Sequence, residues 1–241
     1  MKTSNKWLLA ALLLLLGSLT AYNMGLRAEF RKGTYKDPTH DTVALNFKDF
    51  TEIDLQAANM VGLKVVAGPY SVRLNKAAEK YVKVTQQGQR LTIKLVFPED
   101  RQSMNSRQAL TISLPQLAKL SATGTYLMSG KPVTEKHRTG IALRIEGFRQ
   151  DSLNVQQDHG TQVELARNQL GFLRAEAGHS PGSRPTLHID NSNRIQGAYL
   201  SVQNEGQLLL EAGGIPNLRT QFGDSAHATL TGAGLTNLGQ R

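Results

Sequence analysis

The sequence predicts an all-β body carried behind one apolar N-terminal helix. Three observations predict it: an uncharged apolar stretch over residues 7–26, alternation of apolar residues from Phe50 onward, and a loose repeat near twenty residues across the second half. The chain has 241 residues, of which 39% are hydrophobic and 20% charged, so it can bury a real core and does not read as disordered. Cys is absent, which excludes a disulfide framework, cysteine-ligated zinc, iron–sulfur clusters and thiol catalysis.

Residues before Trp7 are short, polar and basic, and Trp7 to Leu16 is an unbroken apolar run. No charge follows until Arg27, so residues 7–26 just reach the roughly 20 apolar residues that a membrane span needs. Trp7 and Tyr22 suit the two interfaces. A signal peptide cleaved near Ala21 is the competing reading, but Leu19 fits poorly at the minus-three position of an A-x-A pattern. A buried core helix is the third. Lys2, Lys6 and the free amine favour a cytoplasmic start; Arg27, Arg31, Lys32 and Lys36 crowd the other side without holding back a long exported domain.

Residues 27–48 carry mixed charge and no sustained period, which reads as a membrane-proximal connector with a turn at Asp37-Pro38. Period two then takes over. The apolar members are Ile53 and Leu55, Leu63 and Val65, Val72 and Leu74, Val82 and Val84, then Leu91 through Phe97 and Leu110 through Leu114. Alternation puts one set of side chains on one face, the mark of a half-buried strand. Gly88 supplies the turn between two of these strands, and Lys76–Lys80 is a weak one-turn helix.

In the second half, short strands begin near Leu153, Leu173, Leu200 and Leu218, each followed by a turn and a second short strand. Such a period is the signature of a β-solenoid, a right-handed β-helix-like stack in which each rung buries its face against its neighbours. An antiparallel sandwich is the alternative. The expected organisation is a signal anchor or signal peptide at 1–26, a connector at 27–48 and a β-domain at 49–241, with halves of about 49–135 and 136–241. The C-terminal stretch Gly232–Leu238 shows no obvious capping helix, which leaves self-association open.

Phe50-Thr51-Glu52-Ile53, Tyr70-Ser71-Val72-Arg73-Leu74, Val82-Lys83-Val84, Gly88 to Ile93, Leu110 to Pro115 and Leu117 to Gly124 occur in an order that resembles the auto-transporter adhesin head domain family of uncharacterised bacterial envelope proteins. Residues 140–241 are similar more loosely, and Ala122-Thr123-Gly124-Thr125 departs from the family's Ser-Gly-Ala-Gly-like turn. The resemblance implies a solenoid-like fold and an exported, membrane-associated location. It brings no catalytic residues.

Motifs for chemistry are weak. Gly178-His179-Ser180-Pro181-Gly182 fits G-x-S-x-G, but Pro181 and Pro185 forbid the helix that a nucleophile elbow needs. Gly124 to Lys131 fails as a phosphate loop, because five residues separate the glycines and Pro132 stands where Ser or Thr should be. Stacked rungs could gather Asp158, His159, His179, His188 and Asp190 into a metal or acid–base site, although turn positions suit most of them as exposed polar groups. The basic surplus, 28 Lys and Arg against 19 Asp and Glu, is sprinkled between strand residues, unlike a nucleic-acid footprint. It suits anionic lipid or an anionic glycan better. Expected, then, is a single-pass protein of the bacterial inner membrane with a periplasmic, non-catalytic binding, adhesion or scaffolding domain and no cofactor or metal. The partner is an envelope protein, an anionic glycan or a second copy, and no residue is assigned a catalytic role. The alternative is a glycan-active enzyme, a polysaccharide lyase or hydrolase on a β-helix, using the neighbourhood of His159 and Asp190.

Overall fold

The computed structural model describes residues 3–33, 40–99 and 109–238; the expected turn at Asp37-Pro38 and residue Asp100 lie outside them. Contacts divide the chain into two compact units at Thr42/Val43. The first holds α1 (Thr3–Lys32), a helix with the length and composition of a membrane anchor or signal sequence. It runs past residue 26 because Arg27 to Lys32 are good helix formers, with Lys32 paired to Glu29. Gly33 ends it: at φ +70° its N–H returns to Phe30 O, a glycine C-cap.

The second unit is mostly strand. It opens with β1 (Thr42–Leu45), β2 (Glu52–Gln56), β3 (Leu63–Ala67), β4 (Ser71–Asn75), β5 (Val82–Gln87), β6 (Arg90–Phe97) and β7 (Leu110–Leu114). Then follow β8 (Lys119–Thr123), β9 (Thr125–Met128), β10 (Lys131–Thr134), β11 (Leu143–Glu146), β12 (Arg149–Gln157), β13 (Gln162–Ala166) and β14 (Gln169–Ala177). Last come β15 (Thr186–Ile189), β16 (Arg194–Val202), β17 (Gln207–Leu210), β18 (Asn217–Phe222) and β19 (His227–Leu230). The alternating runs foreseen between Ile53 and Leu114 coincide with β2 to β7, and the one-turn helix is a 3₁₀ turn at Lys76–Ala78 capped by Asn75.

Two mixed sheets result, one in the order β1-β4-β7-β3-β11-β13-β15-β17-β19, the other β10-β9-β6-β2-β8-β12-β14-β16-β18 with β5 beside β6. From β11 onward the chain alternates between the sheets, and each strand pairs in parallel with the next but one. Parallel pairing distinguishes this half from the antiparallel sandwich. Antiparallel pairs are confined to the N-terminal end, at β4/β7, β5/β6 and β9/β10.

Register carries the repeat. Leu153, Leu173, Ala198 and Leu218 stand in line, so the third unit aligns two residues before Leu200. On the facing sheet Leu143, Val163, Leu187 and Leu208 do the same. These inward rows meet in one core that also contains Phe50, Phe97 and Phe148. Each such buried side chain contributes about 1.5–3 kcal/mol relative to exposure.

Corner side chains tie neighbouring strands together at one edge. Asn168 Oδ1 accepts from Phe148 N at 3.0 Å and its Nδ2 donates to Ile145 O at 3.0 Å; Asn193 Nδ2 donates to Leu165 O at 2.7 Å. The two amides also meet each other, forming a buried Asn ladder across adjacent corners. At the opposite edge, His159 and Asn204 occupy equivalent turn positions in the left-handed region, at φ +61° and +53°.

Two elements were not foreseen. Ser129 (φ +50°) and Gly130 (φ +75°) join β9 to β10 as a two-residue hairpin turn, so the stretch once compared with a phosphate loop is a hairpin. The C-terminal stretch, expected to lack a capping helix, forms a 3₁₀ segment at Gly232–Leu238 that packs on the corner after β17, where Gly214 N donates to Thr236 Oγ1 at 3.2 Å.

Candidate functional site

The five residues suggested as a possible cluster do not converge. Asp158, His159 and His179 lie at the corners that lead from the β12 sheet to the β13 sheet. His188 and Asp190 lie on and after β15, in the other sheet and at the other edge. The reason is the alternation itself: positions about thirty residues apart fall on opposite sheets unless the register is counted strand by strand.

Asp158 is a structural staple. Its carboxylate accepts from Ser180 N (3.1 Å), Ser180 Oγ (2.5 Å), Ser183 Oγ and His159 N (2.9 Å). Burial pushes its pKa up, but these hydrogen bonds outweigh burial and hold it below the usual carboxylate value. Ser180, the serine of the G-x-S-x-G match, therefore donates to a carboxylate instead of a histidine. His159 Nδ1 lies 3.3 Å from Gly124 N, where it accepts, and Nε2 is 4.0 Å from Asp158.

The segment 135–138 straps this edge. A Cβ on Gly160 would sit 2.0 Å from His137 O, so only glycine admits the strap. Arg138 ties two corners and the start of β17 together through Arg184 O (2.8 Å), Glu205 O (3.3 Å) and Gln207 Oε1 (2.9 Å).

On the sheet containing β13, the outward row is an ion network. Glu146, its side chain 8% exposed, receives Lys64 (2.6 Å), Arg144 (3.0 Å) and Arg167 (2.6 Å), and Arg144 continues to Glu164 (2.9 Å). Burial raises the Glu146 pKa; the hydrogen bonds from Lys64 and Arg144 reverse that and leave it lowered. His188 Nε2 stands 3.3 Å from Glu211, near enough for an ion pair but out of line for a hydrogen bond. This face is largely spoken for.

The outer face of the sheet containing β12, β14, β16 and β18 is different. One outward row runs Lys119, Asn154, Arg174, Tyr199, Arg219; the next runs Ser121, Gln156, Glu176, Ser201, Gln221. A third holds Ser152, Phe172, Gly197 and Asn217. Two grooves open here. One of about 400 Å³ is lined by Ser121, Gln156, Glu176, His179, Ser201 and Gln203. The other, about 590 Å³, lies between Phe172, Arg174, Tyr199, Asn217 and Arg219. Among the described residues no group of three or more His, Asp or Glu is placed to hold a metal ion.

No family model matches the sequence, and no curated protein matches it. Solved structures similar to it include a "putative adhesin" from Bacteroides fragilis, 16% identical, covering 78% of this chain and 94% of that one, with a TM-score of 0.46. Another "putative adhesin", from Parabacteroides merdae, is 9% identical over 79% of this chain and 90% of that chain, with a TM-score of 0.32. A "putative lipid binding protein" from Parabacteroides distasonis is 11% identical over 78% and 96%, at 0.28. The auto-transporter adhesin head domain is not among these names, and that resemblance rests on sequence motifs alone.

Sequence reasoning missed the aromatic pair on this face, exposed Phe172 and half-buried Tyr199. They are 27 positions apart, and only the register of β14 with β16 sets them on adjacent rungs.

Proposed function

We propose that this is a membrane-anchored protein of the bacterial cell envelope whose β-body is a solenoid-like, non-catalytic binding domain. In this reading α1 spans the inner membrane and the body lies on the periplasmic side. The parallel, next-but-one pairing from β11 to β19 supports the solenoid, and parallel crossovers favour a right-handed coil.

The observation that carries the binding role is the outer face of the β12–β14–β16–β18 sheet. Its side chains are held in rows by the backbone ladder, so hydroxyls, amides, guanidinia and two aromatic rings are presented without loop flexibility. The separation of His188 and Asp190 from Asp158, His159 and His179, and the use of Asp158 to hold a corner, argue against the lyase or hydrolase alternative.

The full chain with a photo-crosslinker at Ser152, on this face, should give a saturable adduct in envelope membranes, whereas Arg73, on the outer face of the other sheet, should give none. Equal labelling from both positions, or release of sugar products, would overturn the reading. For the anchor, the mature protein should keep its N terminus and resist alkaline extraction from membranes. A mature chain beginning at Tyr22 would show cleavage after Ala21 instead.

A further inference from the structure

We propose that the groove between Phe172, Tyr199 and Arg219 is a subsite for an acidic oligosaccharide. A pyranose ring packs its C–H face on Phe172, and a sugar carboxylate pairs with Arg219. This rests on reading the outer face of the β12–β14–β16–β18 sheet as a binding surface and names the ligand class that face takes.

Phe172 is the first ground. It is 44% exposed in the middle of a strand. Its neighbour in the row is Gly197, and a Cβ there would lie 3.0 Å from Phe172 Cδ2 and 3.6 Å from Asn217 Cβ. The missing side chain makes the depression, and the ring lies across it. An apolar ring kept in water on a flat, rigid face is a platform in want of a partner.

Charge is the second ground. Tyr199 sits between Arg174 and Arg219 in the adjacent row. Arg174 stacks over the Tyr199 ring at 5.4 Å and is satisfied by Glu176 at 2.6 and 2.8 Å, while the Tyr199 hydroxyl donates to Gln221 Oε1 at 2.6 Å. Arg219 has no hydrogen-bond or ion-pair partner among the described residues. The groove thus holds one uncommitted guanidinium, whose planar fork matches a carboxylate.

Other ligand classes fit less well. Anionic membranes are read by clusters of roughly 4–8 basic residues, and nucleic acids by rows of cations along a backbone track. A peptide added as a strand would use a sheet edge and leave this face alone. One carboxylate-sized charge beside an aromatic platform, with the Asn217 amide at the rim, suits a uronic-acid chain.

The test is calorimetric titration of the full chain in phosphatidylcholine nanodiscs, free of detergent, with hexagalacturonate. Maltohexaose, hexaglutamate and phosphatidylglycerol vesicles serve as comparators. Hexagalacturonate should bind and the others should not compete. Arg219→Ala and Phe172→Ala should each weaken binding about tenfold, the loss expected for one charge-assisted contact or one ring platform. Gly197→Ala should weaken it by displacing the Phe172 ring, while Lys83→Ala, which removes the same charge from β5, should leave it unchanged. Absence of hexagalacturonate binding, equal competition by hexaglutamate or vesicles, or equal losses in R219A and K83A would overturn the proposal. If the Ser152 crosslink persists while hexagalacturonate is silent, the ligand class is wrong and the binding face stands; if both are silent, both fail.

Discussion

Glu146 gathers three cations around one nearly buried carboxylate, and this makes it the most consequential single residue outside the core. Glu146→Ala would leave Lys64, Arg144 and Arg167 crowded without their counter-charge. A loss of about 2–3 kcal/mol in urea unfolding is expected, at the low end for a broken buried pair because the cations are partly solvated. Asp158→Asn should cost about 2 kcal/mol, since an amide cannot accept all four donors that converge there. Both carboxyls have lowered pKa values in the folded state. Their stabilisation is therefore complete above the ordinary values, 4.5 for Glu146 and 3.8 for Asp158, and is lost as pH falls through the lower folded ones. Unfolding free energy measured downward from neutrality should fall in that acid window, and less steeply in D158N. None of this was legible in sequence, because Lys64 is joined to Glu146 by the parallel pairing of β3 with β11 and nothing local marks the pair.

Strand identity, by contrast, was written in the alternation. Ile53 and Leu55, or Leu91 through Phe97, announce which face is buried before any partner is known. The hairpin β9–β10 was hidden because Tyr126, Leu127 and Met128 do not alternate and Pro132 lies inside the return strand. What sequence also withheld is what locks successive rungs together. The Asn168–Asn193 ladder does so at one edge. Asn168→Ala would strip Phe148 N and Ile145 O of their partners inside the core, with an expected loss of about 2–3 kcal/mol by denaturant titration. A double-mutant cycle with Asn193→Ala should return a coupling of about 1 kcal/mol, because the two amides share hydrogen bonds.

Over the whole β-body, the two ends are unequal. The N-terminal end is finished by antiparallel strands, whereas among the described residues β18 and β19 each end their sheet with no further strand beside them. Their inward row also thins out: Thr220 and Ala228 replace larger residues, and Phe222 is 42% exposed. Strands with a partner on one side only should fray first. Hydrogen exchange should be fast in β18 and β19 and slow in β12 and β14, and uniform protection would contradict that. The same edge would template self-association, which Thr229→Lys should suppress in light scattering. The twenty-residue period marked the paired short strands of this half, but not the exposure of the last two, since Leu218 to Leu230 reads like any earlier unit.

The corners that return the chain from the β12 sheet to the β13 sheet differ in length. Residues 158–161, 203–206 and 223–226 are four-residue turns, while residues 178–185 make a corner twice as long, and the strands on either side keep their register regardless. Backbone ladders, and not the connecting turn, index one coil to the next. Residues inserted between Ser180 and Ser183 that leave both serines on Asp158 are therefore silent to the core, and the lineage that carries this gene is free to redraw one rim of the molecule while inheriting the rest intact.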